Sequence, residues 1–178
     1  MTQPPQTFTT HRLLLRPPVL ADATALFDGY TQDPEVTCYL VWRPHTTVAM
    51  TQAFIERCLK GWHDGSEWTY VLTDRGNHNV LGMLSLRITH FSVSLGYVLM
   101  RAAWGQGLMP EATAAVMNWA LAQPEIFRVW AVCDIENRAS ARVLEKVGMQ
   151  REGLMRRGVL HPNISDEPRD CWLYAKVK

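Results

Sequence analysis

The chain has 178 residues, 47% of them hydrophobic and 20% charged, with a formal net charge of +1. That size and balance suit one domain with a proper core, and they argue against a general nucleic-acid or membrane-surface binder, which carries a basic excess or stripe. No apolar run approaches the ~18 residues of a membrane span, and "MTQPPQTFTTHR" lacks the charged-then-apolar layout of a signal peptide, so residues 1–10 read as a flexible lead-in to a single cytoplasmic domain over 11–178.

"HRLLLRP" (11–17) reads as a short strand stopped by Pro17 and Pro18. The spacing of Leu20, Ala23, Leu26, Phe27 and Tyr30 predicts a helix, with Asp22 favourably placed in its first turn. "DPEVTCYLVWRP" (33–44) reads as a short helix and a loop. Met50, Phe54, Ile55, Cys58 and Trp62 then mark one face of a helix from Thr47, with Gly61 near its end. The period next changes to two. "EWTYVLTD" and "NVLGMLSLRITH" flank the turn "RGNH", and "FSVSLGYVLM" (91–100) alternates clearly, which predicts an antiparallel meander. A helix to about Ala122 follows, packing through Leu108, Ala112, Ala115, Val116 and Trp119. "IFRVWAVC" is a strand covered on both faces. "NRASARVLEKVG" is a helix with Asn137 as N-cap and Gly148 just past its end, and two strands near 149–157 and 169–177 close the chain. This order predicts a mixed-sheet α/β protein, not a doubly wound parallel one.

Cys38, Cys58, Cys133 and Cys171 are widely spaced and form no CxxC, which argues against a zinc site or a disulfide scaffold. They read as small apolar residues of a reducing compartment.

The stretch "LGYVLMRAAWGQGLMPEATAAVMNWAL" (95–121) places Gly105, Gly107 and Pro110 at the start of a good helix, although glycine and proline are the poorest helix formers. The first N–H groups of a helix lack internal partners, the helix dipole adds positive charge there, and glycine lets a ligand approach the bare backbone. Proline is tolerated at a helix start because its missing N–H is not needed. "GQGLMP" is neither a Walker A nor a GxGxxG sequence, so the residues alone leave a phosphate site and a plain tight turn as competing readings.

Four blocks then carry a resemblance: "RLLLRP", "DPEVTCYLVWRP", "LGYVLMRAAWGQGLMPEA" and "NRASARVLEKVGMQREGLMR". Together they resemble the GNAT superfamily of acetyl-CoA-dependent N-acetyltransferases, and more narrowly its RimJ/RimL branch, over nearly the whole chain. The resemblance implies the GNAT fold, a single layer of mostly antiparallel strands flanked by helices. It implies that Tyr97, Val98, Leu99 and Met100, at the end of a strand, offer backbone groups to acetyl-CoA, with the N–H near Leu99 polarising the thioester carbonyl. Trp104, Gly105, Gln106, Gly107, Leu108 and Met109 would form the pyrophosphate turn, Asn137 would contact the pantetheine arm, and Ser140 would protonate the leaving thiolate. The superfamily pattern Q/R-x-x-G-x-G/A is met with Trp104 at its first position and Met109 at its last. The branch carries a glutamate base where Val159 stands here, which leaves Glu152, Glu67 and His161 as candidates. Arg142, Glu145 and Lys146 read as a solvated face, with Arg142 or Lys146 within reach of the cofactor's 3′-phosphate.

The reaction implied is acetyl transfer to a primary amine, on a protein N-terminus or a small molecule, by direct attack in a ternary complex. An α-amino group, with a reference pKa near 7.7–8.0 against about 10.4 for lysine, needs little help from a base near pH 7. The alternative is a non-catalytic acyl-CoA-binding or sensing module of the same fold. The acceptor is expected to be set by residues 33–45, the segment after His90 and "HPNISDEP" (161–168). Monomer and homodimer both remain open.

Overall fold

A computed structural model describes residues 2–178. Its sheet is built from β1 (Phe8–Thr9), β2 (Leu13–Arg16), β3 (Trp68–Asp74), β4 (Val80–Thr89), β5 (Ser92–Leu99), β6 (Arg128–Asp134), β7 (Gln150–Val159) and β8 (Arg169–Val177). In space the order is β1-β2-β3-β4-β5-β6-β8-β7. All neighbours pair antiparallel except β5 and β6, which are parallel. The mixed α/β fold expected from the order of elements is the one found. The helices are α1 (Ala23–Leu26), α2 (Pro34–Thr37), α3 (Val48–Asp64), α4 (Leu108–Ala122) and α5 (Arg138–Lys146). No helix among the described residues is long and apolar enough to cross a membrane.

Strand alternation divides the core in two. On one face Tyr70, Leu72, Leu84, Leu86 and Leu95 pack with Ala112, Val116, Met117 and Ala120 of α4 and Leu144 of α5. On the other, Val71 and Met83 meet Ala23, Leu26 and Tyr30 and the α3 residues Ile55 and Cys58. Burying each leucine contributes about 1.5–3 kcal/mol, which holds α4 and α5 against one side of the sheet and α3 against the other.

Local signals fix the ends of these elements. The Thr47 side chain accepts from the Met50 N–H at 3.4 Å to start α3, and Gly65, at φ +73°, ends it. Gly61 lies in the last turn, near the helix end as expected, packed where a Cβ would stand 2.7 Å from the Glu67 carbonyl. Gly82 has a similar role: a Cβ there would lie 2.3 Å from the Val98 carbonyl, so its absence lets β4 close on the end of β5.

Several expectations are corrected. The lead-in over 1–10 ends in β1, whose Phe8 is buried, and the Tyr70 hydroxyl donates to the Pro5 carbonyl at 2.5 Å. The helix expected from Leu20 is a 3₁₀ turn, one turn of α1 and a π turn (Phe27–Thr31). Asp22 acts there by accepting a two-pronged bond from Arg16 at 2.7 and 2.8 Å and the Val19 N–H at 2.8 Å. The buried stripe of α4 runs through Met109, Ala112, Thr113, Val116, Met117 and Ala120, leaving Ala115 and Trp119 half-exposed.

Candidate active site

The parallel junction is short. β5 and β6 pair only through Ser92–Ser94 and Arg128–Trp130. Beyond that β5 continues with β4 and β6 with β8, so the sheet opens between them. The Met100 N–H donates to the Leu81 carbonyl at 2.9 Å. Hydrogen-bonded pairs alternate along an antiparallel ladder, so Val98 and Met100 spend their backbone groups on β4. Tyr97 and Leu99 direct theirs into the gap. Of the four strand-end residues expected to serve the cofactor through their backbone, Tyr97 and Leu99 are oriented toward the gap and Val98 and Met100 are not. The Trp104 indole N–H donates to the Leu99 carbonyl at 2.7 Å, which leaves the Leu99 N–H as the free group at the strand end.

The glycine turn lies beside this opening. Gly105 and Gly107 adopt φ +75° and +74°, and a Cβ at Gly105 would meet nothing within 4 Å. The first bond of α4 runs from the Glu111 N–H to the Gly107 carbonyl. Among the described residues, the N–H groups of Gly105, Gln106, Gly107, Leu108 and Met109 meet no acceptor. Pro110, third in the helix, removes an N–H that would also be unpaired. Arg12, from β1–β2, donates to the Gln106 carbonyl at 2.9 Å and to Glu111 at 2.7 Å, while Thr10 also donates to Glu111. The Glu111 charge is thus neutralised, and a guanidinium sits at the turn. Sequence reasoning missed Arg12, because its partners are 94 and 99 positions away.

From the far side of the gap comes α5. The Asn137 side-chain amide oxygen accepts from the Ser140 N–H at 3.0 Å, as an N-cap does. The Ser140 hydroxyl lies 2.9 Å from the Tyr97 hydroxyl, so β5 and α5 meet there across the opening. Burial raises the Tyr97 phenol above its ordinary range. Cys58, Cys133 and Cys171 are each pushed up to about 11, chiefly by burial, and so are protonated thiols near neutral pH. Arg138, Arg142 and Lys146 line the same cleft. Arg142, Glu145 and Lys146 are exposed as expected, and Glu145 also accepts from the Tyr174 hydroxyl at 2.9 Å.

On the other side, the loop after β7 docks on residues 37–42 through the Asn163 amide, which donates to the Thr37 and Trp42 carbonyls at 2.7 and 2.8 Å. Residues from both segments line the cleft, but Phe91, in the segment after His90, does not, since its carbonyl caps the start of β6 at the opposite end of β5. Of the three base candidates, Glu152 is held by Arg128 and lies outside the cleft. Glu67 lines the cleft but pairs with Arg87 at 3.0 Å. His161 lines it at 4% exposure, two residues past Val159, and its Nδ1 has no hydrogen-bond partner. Burial pulls the His161 imidazole below its usual value against the opposing pull of Asp134, which favours the neutral ring. The whole cleft measures about 1640 Å³, more than the 300–1,000 Å³ of a pocket for one small ligand.

A family model described as an acetyltransferase (GNAT) domain matches residues 12–150. The uncharacterized N-acetyltransferase p20 of Bacillus licheniformis is 29% identical over 154 residues, covering 85% of this chain and 86% of that protein. The crystal structure of an acetyltransferase (GNAT family) from Bacillus anthracis has a TM-score of 0.83 at 25% identity, over 96% of this chain and 98% of its own. A RimL ribosomal L7/L12 alpha-N-protein acetyltransferase in complex with coenzyme A shares the fold, with a TM-score of 0.84 at 21% identity over 96% and 97% of the two chains.

Proposed function

The chain belongs to the GNAT acetyltransferase family, and from that premise we propose that it moves an acetyl group from acetyl-CoA to a primary amine by direct attack in a ternary complex, as a RimJ/RimL-like enzyme. One observation carries the reading. Five consecutive backbone N–H groups that meet no acceptor among the described residues lie at a helix start, with Arg12 beside them and an opened strand edge next to them. That combination fits a pyrophosphate followed by an extended arm. When bound, acetyl-CoA supplies an acetyl group already activated as a thioester.

The chain's residues then have separable tasks. The Leu99 N–H donates to the carbonyl oxygen as negative charge develops on it, which is often the largest catalytic term. Ser140, held by the Tyr97 hydroxyl at 2.9 Å, gives its proton to the departing sulfur and is reprotonated from solvent in the cleft, which takes up the proton lost by the amine. His161, which lines the cleft, takes the proton that the amine loses by way of a water and passes it to solvent. An acetyl group bound to Cys58, Cys133 or Cys171 is disfavoured, because these buried thiols are held protonated. The Ser140–Tyr97 pair also favours an enzyme over a sensing module, which has no use for a proton donor in the gap.

The test is acetyl-CoA turnover followed by thiol release. Ser140→Ala is expected to lower kcat by about 10²-fold with acetyl-CoA affinity unchanged. His161→Gln is expected to remove the acid limb of the pH–rate profile, which in the parent lies below the ordinary histidine value. Unchanged kcat in both variants, or an acetyl group trapped on a cysteine, would refute this mechanism.

A further inference from the structure

We infer that the acceptor amine bears an anionic group and that Arg57 is the residue that holds it, a conclusion that rests on the acetyl-transfer reading and names its acceptor class. The geometry of the sheet separates two mouths of the cleft. Tyr97 and Leu99 lie on the face covered by α4 and α5, where the glycine turn and Ser140 also stand. Thr69, Met83, Ser85, Arg87, Gly96 and Val98 alternate onto the opposite face, under α3, and line the same cleft. The turn anchors phosphates on the first face and the sheet opens between β5 and β6, so the acceptor meets the thioester from the second.

Charge pairing at that second mouth is one-sided. Every carboxylate lining the cleft is engaged by an arginine. Asp33 and Glu35 take Arg101 at 3.1 and 2.7 Å, Glu67 takes Arg87 at 3.0 Å, and Glu136 takes Arg169 at 2.6 Å. Arg57, on α3, has no carboxylate partner among the described residues. Its guanidinium carbon stands 5.7 Å from the centre of the Phe54 ring, and Phe54 and Trp42 form an aromatic wall beside it at 6.1 Å between centroids. A polycationic amine finds no unengaged carboxylate here. A compact amine with an acidic group and an apolar body finds a planar guanidinium, suited to two-pronged recognition of an oxyanion, next to an apolar surface.

The experiment measures kcat/KM by thiol release for matched acceptors: phenylalanine-containing amino acids and dipeptides as free acids and as C-terminal amides, phosphoethanolamine against ethanolamine, and spermidine. The free acids, or the phosphate ester, are expected to exceed their uncharged partners at least 10-fold, with spermidine poorest. The pair showing the preference identifies the anion as carboxylate or phosphate. Arg57→Gln is expected to bring that ratio close to 1 while changing the uncharged acceptor and the acetyl-CoA KM by less than about twofold, and Arg57→Lys to restore part of the ratio. A preference for amides or spermidine, or an Arg57→Gln loss equal for both members of a pair, overturns the inference while leaving the transferase standing. Absence of turnover with every amine overturns both.

Discussion

Replacing Gly105 by alanine separates a phosphate turn from an ordinary tight one. At φ +75° an alanine costs roughly 1–2 kcal/mol of backbone strain. At this chain length that is about 2–8 °C in Tm. A new Cβ adds no clash within the protein, since no atom lies within 4 Å of it. Gly65→Ala is the matched control, at φ +73°, with the Trp68 ring 3.7 Å away and the cleft elsewhere. Both variants are therefore expected to lose similar stability. They should differ in cofactor affinity. A methyl group on the turn displaces the ligand from one N–H donor, worth about 1.5–3 kcal/mol to a charged acceptor, so the acetyl-CoA Kd should rise about 10- to 100-fold in Gly105→Ala and stay level in Gly65→Ala. Thermal melting and calorimetric titration with coenzyme A give the two numbers. Equal melting losses with equal affinities would refute the assignment of this turn to phosphate.

Trp104→Phe keeps an aromatic ring but removes the 2.7 Å bond to the Leu99 carbonyl. Because Trp104 is 44% exposed, melting should fall by less than about 1 kcal/mol equivalent, while kcat falls several-fold at constant acetyl-CoA KM as the strand end loosens; an unchanged kcat would remove Trp104 from the positioning of Leu99. Asp134 has no exposed side-chain surface and accepts from Arg169 at 2.6 Å and from the Glu136 N–H at 2.9 Å. Burial alone would raise its pKa, but these bonds outweigh it and hold the carboxyl below the usual range. A depressed carboxylate pKa contributes stability that is present above the unfolded value of about 3.9 and is lost as pH falls from there through the folded value. Asp134→Asn should therefore melt lower at pH 7, by about 2–4 kcal/mol, with the gap to the parent narrowing in acid; a gap independent of pH would contradict the pairing.

Much of the fold was legible because its signals are local. The period-two run ending at Leu99, the Asn137 cap and the left-handed glycines at Gly105, Gly107 and Gly148 each depend on a few neighbouring residues, and each stands where its own backbone geometry requires. The first helix was misjudged because apolar spacing cannot separate α from 3₁₀ and π turns of similar pitch. Gly61 stands near the helix end as its sequence position suggests, but what requires a glycine there is close packing against Glu67, which is not a local signal.

The residues themselves determined an α/β chain with a bare-backbone turn before a helix, and they identified its family. Tertiary structure decided the rest, through contacts between positions far apart in sequence. The early end of the β5–β6 ladder opens the sheet, and strand alternation turns Leu99, but not Val98 or Met100, toward the opening. Arg12 reaches a turn 94 residues away, and Tyr97 meets Ser140 across 43. Which charges are spent is equally a matter of folding: a lone sequence shows Glu67, Glu152, Arg57 and Arg87 as equivalent surface charges, and only the approach of their carriers neutralises all but Arg57. A hydrogen bond or an ion pair is set by distances of a few ångströms, and over such separations the chain fixes those only when it is folded.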